Sequence, residues 1–483
     1  MIPLRLDHLA RAAGAVLMDA HGRPAGPDAP EGRVLVDGPV VTDSRECRPG
    51  SLYVARVGEQ ADGHAFIGAA QEAGAVAALT SRPVAGVAHL LTDDVQTAFG
   101  AIARAVVDAA PDLTIVGITG SSGKTSTKDR LAQVLRTGAE TVAPEGSYNG
   151  EIGVPLTVCR ITPTTRFLVA EMGSRGIGHI AYLTRIAPPR IGIVLNVGQA
   201  HVGEFGGRDN IARAKAELVA ALPSSGVAIL NADDPAVCAM ATATTARVVL
   251  VGESAAADIR AQDVELDESG RPTFRVLSPA GTAQVRLRLH GRHHVGNALS
   301  VIAAALECGL PLDDIVAALA VAGPVSRWRM EVTERADGVT IVNDAYNANP
   351  DSMRAALRAL RAMKGPADAG PGRRTWAVLG EMFELGPDSH TEHQQVGAVA
   401  VAQDVDRLVV VGAGAGLIGD GAVAAGMPPA HLARVPDTDA AYALLTENLR
   451  RGDVVLFKSS RDAGLRWLGD RVAETVHGNE VRS

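Results

Sequence analysis

The chain is poor in aromatic residues: only 3% of its 483 positions are Phe, Trp or Tyr. A surface that stacks single-stranded bases needs several aligned rings, so such a nucleic-acid platform is poorly supported. The 46 basic and 54 acidic residues are interspersed, with a formal net charge of -8, and no basic block could track a polyphosphate backbone. Nucleic acid is therefore not an expected partner. Cys47, Cys159, Cys238 and Cys308 lie far apart without paired spacing, which indicates neither a disulfide framework nor a zinc site. A reducing, cytoplasmic setting fits. No window approaches the ~20 apolar residues that span a bilayer. The first residues, "MIPLRLDHLARAAGAVLMDA", read as an amphipathic helix interrupted by Asp7 and Arg11, lacking the uncharged core of a secretory signal.

What the chain does have is 47% hydrophobic residues, 52 glycines and 26 prolines, the composition of a globular protein rich in tight turns. Its length predicts about two to four domains, with clefts between them. Up to about residue 100, short apolar strands broken by turn residues precede alanine-rich helices, a small α/β pattern. From Leu113 the runs "LTIVGITG", "RFLVAEMG", "RIGIVLNVG", "VAILNADD" and "RVVLVG" alternate with helical segments. That alternation predicts a mainly parallel sheet with helices on both faces. Near "GPVSRWRMEV" a Gly-Pro breaks the helical run, and "GVTIVNDAY", "TWAVLGEM", "RLVVVG" and "DVVLFKSS" begin a third α/β set. "KGPADAGPGRR", Lys364 to Arg374, reads as a flexible loop within it.

In "VGITGSSGKTSTKD" a buried strand ends at Gly120, a loop turns through Ser121, Ser122 and Gly123, and Lys124, Thr125 and Ser126 open a helix. Backbone N–H groups and the positive helix end can surround an anion there. Lys124 would reach the outer phosphates and Thr125 would ligate Mg²⁺, with Gly117 and Gly123 at phosphate-loop spacing. This specifies ATP or GTP without specifying the reaction. A competing nucleotide site is "RLVVVGAGAGLIGDG", with Gly414, Gly416 and Gly419 at dinucleotide-fingerprint spacing and Asp437 or Asp439 roughly twenty residues on. Counting from Gly412, however, puts Leu417 where the third glycine belongs, and a strand-to-helix turn is preferred.

The segment "GGRDNIARAKAELVAAL" reads as a helix with Ile211, Lys215, Leu218 and Leu222 on one face, so Lys215 falls on the buried stripe. Its ammonium could simply snorkel to water. Yet Glu171 ends the strand "RFLVAEMG" and His201 follows another in "NVGQAHVGEFGG". Strand C-terminal ends are where an open α/β sheet places ligands, so both are candidate Mg²⁺ ligands, the imidazole the less usual. A lysine buried beside them would have a lowered pKa, and its neutral amine could take up CO₂ as a carbamate, an anionic metal ligand.

In this order the segments "DSRECRPGSLYVARVGEQADGHAFI", "GITGSSGKTSTKD", "EGSYNGEIGVPLTV", "NVGQAHVGEFGGRDNIARAKAEL", "GRHHVGN", "RWRMEV", "NDAYNANPDSM" and "LGEMFELG" resemble the Mur ligase family of bacterial cell-wall enzymes along nearly the whole chain. "YNANPDSM" and "LGEMFELG" look most like the members that add D-alanyl-D-alanine to UDP-N-acetylmuramoyl-tripeptide, and the Asp-Asn-Pro-Arg motif usual in diaminopimelate-adding members is absent. The resemblance implies a three-domain α/β fold. An N-terminal α/β domain (1–110) would hold the UDP end of the substrate. A central P-loop ATPase domain (111–325) would have the mainly parallel sheet, and a C-terminal Rossmann-like domain (326–483) would take the incoming amino component.

The resemblance further implies that Lys124 and Thr125 serve ATP and Mg²⁺, and that Glu171, His201 and carbamylated Lys215 hold the metal. Asn297 matches the adenine-side asparagine, and Arg329 and Asp344 the residues through which the C-terminal domain closes on ATP. Ser44 and Arg45 fall in the uridine segment, and Asn149 and Asn347 in segments facing the substrate. Gly150, His294, Asn343, Ser459 and Arg466 stand where the family generally has Asn, Asn, Asp, Gly and Glu. The implied activity is ATP-driven peptide-bond formation through an acyl phosphate, by a cytoplasmic monomer acting on small molecules. The alternatives at this point are another amino-acid-adding ligase, or a nucleotide switch.

Overall fold

The computed structural model describes residues 1–26, 28–58, 61–198, 205–365 and 373–475. Three mainly parallel sheets succeed one another along the chain. The first has five strands in the spatial order Val16–Met18, His89–Leu91, Ala75–Thr80, Ser51–Val54, Val40–Val41, and only its first pair is antiparallel. The N-terminal helix is shorter than the sequence pattern predicts. It covers Leu6–Ala13 and stops where Gly14 takes a left-handed φ of 61°, and Val16–Met18 then enters the sheet as a strand. A glycine at that position ends a helix at no steric cost.

The central sheet has nine strands, in the order Gly281–Arg286, Pro272–Ser278, Ile259–Leu266, Arg247–Gly252, Val227–Asn231, Ile191–Val194, Thr114–Thr119, Phe167–Glu171, Thr141–Val142. The five runs read from sequence form its parallel body. The first three strands in that order, antiparallel to one another, extend it at one edge, where Ile259–Leu266 pairs in parallel with Arg247–Gly252; the sequence pattern did not single this extension out. Their residues alternate between buried and exposed, unlike the continuous apolar runs of strands covered on both faces. Side chains from the parallel body feed two cores: Ile115 packs on one face, and Val116 and Ile118 on the other.

The third sheet runs Glu331–Glu334, Thr340–Asn343, Val454–Lys458, Thr375–Leu379, Arg407–Val411, Leu432–Val435, with only the first pair antiparallel. Most of the glycine-rich segment after Lys364 lies outside the described residues. Among the described residues no helix is long and apolar enough to cross a membrane.

Candidate functional site

The strand Thr114–Thr119 lies between Phe167–Glu171 and Ile191–Val194, in register with both: Ile118 faces Glu171 and Thr119 faces Val194. The three strands therefore end at one level. The glycine loop, Glu171 and the segment after Val194 all emerge at the carboxyl edge of the sheet, where α/β folds bind ligands. Gly117 lets the helix Arg208–Ala220 approach this strand closely, because a Cβ there would lie 2.9 Å from Leu218 Cδ1. Lys215, one turn earlier on that helix, is thereby carried to the same edge, only 5% exposed.

The loop turns at Gly123, whose φ of 80° is a left-handed conformation, and the helix Lys124–Leu135 follows directly. Asn196 clamps the turn: its Oδ1 accepts from the N–H of Ser121 (3.0 Å) and of Ser122 (2.9 Å), and its Nδ2 donates to Ser122 O (3.2 Å). Lys124 Nζ donates to Gly120 O at 2.6 Å. Burial pushes the Lys124 pKa below its ordinary 10.5; the nearby Glu171 opposes that shift and Arg329 adds to it. Ser126 lines the same cleft, and its carbonyl accepts from Arg130 Nε at 3.3 Å.

Glu171 is 1% exposed. Its Oε1 accepts from Asn149 Nδ2 (2.7 Å) and Thr125 Oγ1 (3.3 Å), whereas its buried Oε2 has no partner among the described residues. A buried carboxylate oxygen left without a donor is costly, and a cation would satisfy it. Lys215 donates no hydrogen bond among the described residues, and burial, then the neighbouring Lys124 charge, drive its pKa well below 10.5. His201 lies outside the described residues. Among the described residues no three His, Cys, Asp or Glu side chains form a cage, so a cation here would share phosphate oxygens and water, as Mg²⁺ sites commonly do.

The opposite wall comes from the segments before Glu331–Glu334 and after Thr340–Asn343, the first two strands of the third sheet. Arg329 Nη2 donates to Thr125 Oγ1 (3.3 Å), its guanidinium lies 4.1 Å from the Tyr346 ring centroid, and the Tyr346 hydroxyl is hydrogen-bonded to Ser147. Asp344 reaches the cleft but pairs within its own lobe. Its Oδ2 accepts from Lys458 Nζ at 2.6 Å and its Oδ1 from the Met330 N–H at 3.0 Å. Asn347 also lines the cleft; its carbonyl accepts from Lys458 and its side chain from the Ala348 N–H. Asn297, 7% exposed, packs its amide on Gly123. Together these groups line one cleft of about 980 Å³.

Ser44 and Arg45 are not brought to it. They form a short turn capped by Asp43, with Arg45 exposed and paired to Asp43, while Thr42 lines the cleft instead. The dinucleotide-like turn is occupied by the protein itself, because a Cβ on Gly414 would lie 1.9 Å from Glu381 Oε2. A carboxylate in that turn repels a pyrophosphate. Asp437 caps a helix by accepting from the Ala440 N–H at 2.8 Å, so it is not left for a ribose. Sequence reasoning missed Asn196, Tyr346 and Lys458. The only local signals were an Asn just past an apolar strand, the aromatic of "NDAYN" and a lysine ending "VVLFK".

Residues 39–112 match the description "Mur ligase family, catalytic domain", 118–305 "Mur ligase middle domain" and 328–461 "Mur ligase, glutamate ligase domain". The chain is 48% identical over 515 residues to UDP-N-acetylmuramoyl-tripeptide--D-alanyl-D-alanine ligase of Mycobacterium tuberculosis, covering 99% of each. It is 37% identical to the Escherichia coli enzyme of that name, over 77% of this chain and 81% of that one. Its fold matches crystal structures of MurF from Acinetobacter baumannii (TM-score 0.85, 29% identity, 98% and 99% of the two chains). It also matches MurF from Thermotoga maritima in complex with ADP (TM-score 0.78, 28% identity, 91% and 97%). A phosphate loop, a buried carboxylate and a buried lysine facing a separate α/β lobe, with this similarity along nearly the whole length, establish that the chain belongs to the Mur ligase family.

Proposed function

We propose that this protein is an ATP-dependent ligase that joins D-alanyl-D-alanine to UDP-N-acetylmuramoyl-tripeptide. The observation that carries it is the convergence of Lys124, Thr125, Glu171 and Lys215, from the carboxyl edge of the central sheet and the helices beside it, with Arg329 and Asp344 from the loops of the third sheet around a single cleft. Relatives named for this reaction align over almost all of the chain.

Peptide-bond formation in water is uphill, so the donor carboxylate is first activated. A tripeptide carboxylate oxygen attacks the γ-phosphorus of ATP, the bond from that phosphorus to the β-bridging oxygen breaks, and ADP leaves an acyl phosphate. The amine of D-alanyl-D-alanine then attacks the acyl carbon. Phosphate departs with the former acyl C–O electron pair, and the nitrogen loses its proton to solvent. Lys124, at the start of the helix that follows the loop, stabilises the charge that moves between phosphoryl oxygens. Arg329, stacked on Tyr346 and bonded to Thr125, brings the C-terminal lobe over the cleft and excludes water that would hydrolyse the acyl phosphate.

Thr125, Glu171 with its unpartnered Oε2, and Lys215 fit a Mg²⁺ site. A cation there supplies charge neutralisation on the phosphoryl oxygens. The low basicity forced on Lys215 favours the free amine, which adds to CO₂ with loss of a proton to give a carbamate. Asn297 is assigned to the adenine side and Asn149 and Asn347 to the muramoyl-peptide side, while Ser44 and Arg45, in the turn just beyond the cleft-lining Thr42, are assigned to a uridine end that extends past the cleft. Domain limits of 1–110, 111–325 and 326–483, a monomeric state and a cytoplasmic location complete the proposal.

The test is phosphate release from ATP with the UDP-muramoyl-tripeptide and, in turn, D-alanyl-D-alanine, diaminopimelate or glutamate as acceptor. Release that depends on D-alanyl-D-alanine is expected. No turnover with that dipeptide overturns the assignment, and hydrolysis indifferent to any amine indicates a nucleotide switch.

A further inference from the structure

Arg130 is 1% exposed, yet no carboxylate lies within ion-pair distance of it among the described residues. A buried guanidinium needs acceptors, and these come from two helices. On its own helix, Lys124–Leu135, Nε donates to Ser126 O (3.3 Å). On the helix His294–Glu307, Nη2 meets His294 Nδ1 at 2.6 Å and Nη1 lies 3.5 Å from His294 O. Arginine has no acceptor to offer, so Nδ1 must carry the lone pair and the imidazole proton sits on Nε2. Burial, then the nearby His293, Arg130 and His290, push the His294 pKa well down, which keeps the ring neutral and able to accept.

The pair ties together two helices that both contribute to the nucleotide cleft, one through Lys124, Thr125 and Ser126 and the other through His294 and Asn297. Ser126, whose carbonyl Arg130 holds, is in the first turn after the phosphate loop. His294 is three residues before Asn297, hence on the same helix face, and Asn297 packs its amide on Gly123. His294 is 3% exposed, lines the cleft, and its Nε2 is buried without a partner among the described residues. A purely structural tie would not be expected to leave that donor unused at a cleft wall.

We propose that Arg130 and His294 form a positioning pair that sets the phosphate-loop helix and the nucleoside-side helix in register, so that ATP affinity and base selectivity depend on it. The pair acts through Asn297 and the loop rather than on the transferred phosphoryl group. This rests on the assignment of the cleft to ATP. Breaking the pair should therefore raise KM for ATP while sparing kcat and KM for the acceptor.

The experiment compares Arg130→Met, His294→Asn and the double variant Arg130→Met/His294→Leu by ADP-induced thermal shift and by steady-state phosphate release with ATP and with GTP. In Arg130→Met, KM for ATP is expected to rise about tenfold or more, with kcat changing less than about twofold. His294→Asn retains an acceptor for Arg130 and should show little of that loss. The double variant leaves neither buried partner unpaired. It carries the test if a single variant does not fold, and should keep the raised KM and a reduced preference for ATP over GTP. A folded double variant with wild-type ADP affinity and wild-type preference overturns the proposal. If the native protein shows no acceptor-dependent turnover but loses ADP affinity in the variants, the ligase assignment fails and the pair stands.

Discussion

Replacing Gly123 by alanine should weaken nucleotide binding far more than it weakens the fold. Gly123 has a φ of 80°, so any side chain there costs about 1–2 kcal/mol in backbone conformation alone. The added methyl would also lie 2.9 Å from Asn297 Oδ1 and 3.0 Å from its Nδ2, whereas ordinary contact begins near 3.4 Å. Asn297 is 7% exposed inside a packed helix, so its amide cannot swing out to water and must be displaced by roughly half an ångström. That amide is assigned to the adenine, and losing one such contact is worth about 1.4 kcal/mol, a tenfold rise in KM for ATP. Gly309→Ala is the control, since Gly309 has a φ of 88° and nothing within 4 Å of a Cβ. Both variants should lose a few degrees in Tm, and only Gly123→Ala should lose ATP affinity, read from phosphate release and from the thermal shift given by ADP. Equal KM values for ATP in the two variants would refute the reasoning.

Three other outcomes are expected. Lys215→Met should stay folded, because it replaces a buried amine that lacks a hydrogen bond among the described residues, but activity should fall at least about 100-fold; Lys215→Ala should regain part of its activity with a small added carboxylate, and full activity in either variant alone would remove the carbamate. Asp129→Ala should cost about 3–5 kcal/mol, because it strips the buried Lys128 ammonium of its carboxylate and the Ser326 N–H of its acceptor; denaturant unfolding measures it, and Lys128→Met in the same chain should recover much of the loss. The His64 N–H, then Arg82 and the His64 ring, hold the Asp62 carboxyl well below its ordinary 3.8. Its folded pKa is depressed, so its contribution is present above 3.8 and is lost as pH falls further. The Tm deficit of Asp62→Asn should therefore be seen at pH 7 and shrink in acid.

The sequence by itself determined the parallel α/β body, the phosphate loop and the misplaced Lys215. These are local facts: continuous apolar runs mark strands buried on both faces, and glycines at set spacing mark a turn that backbone amides can fill. The helix holding Ile211, Lys215 and Leu218 on one buried face was readable for the same reason, since a 3.6-residue period is written in a dozen neighbouring positions. Tertiary structure alone decided which distant groups meet. Asn196 clamps a loop 74 residues away and Arg329 reaches Thr125 across 204 residues, pairings that no local period encodes. It also decided against the dinucleotide fingerprint, whose glycine spacing is acceptable but whose turn is filled by Glu381. The antiparallel edge escaped because half-exposed strands carry a weaker apolar signal, and the Arg130–His294 pair because a polar contact between two helices leaves no periodic trace. Chemistry needs groups from several elements at one point, and only the packing of strands to a common edge brings them there.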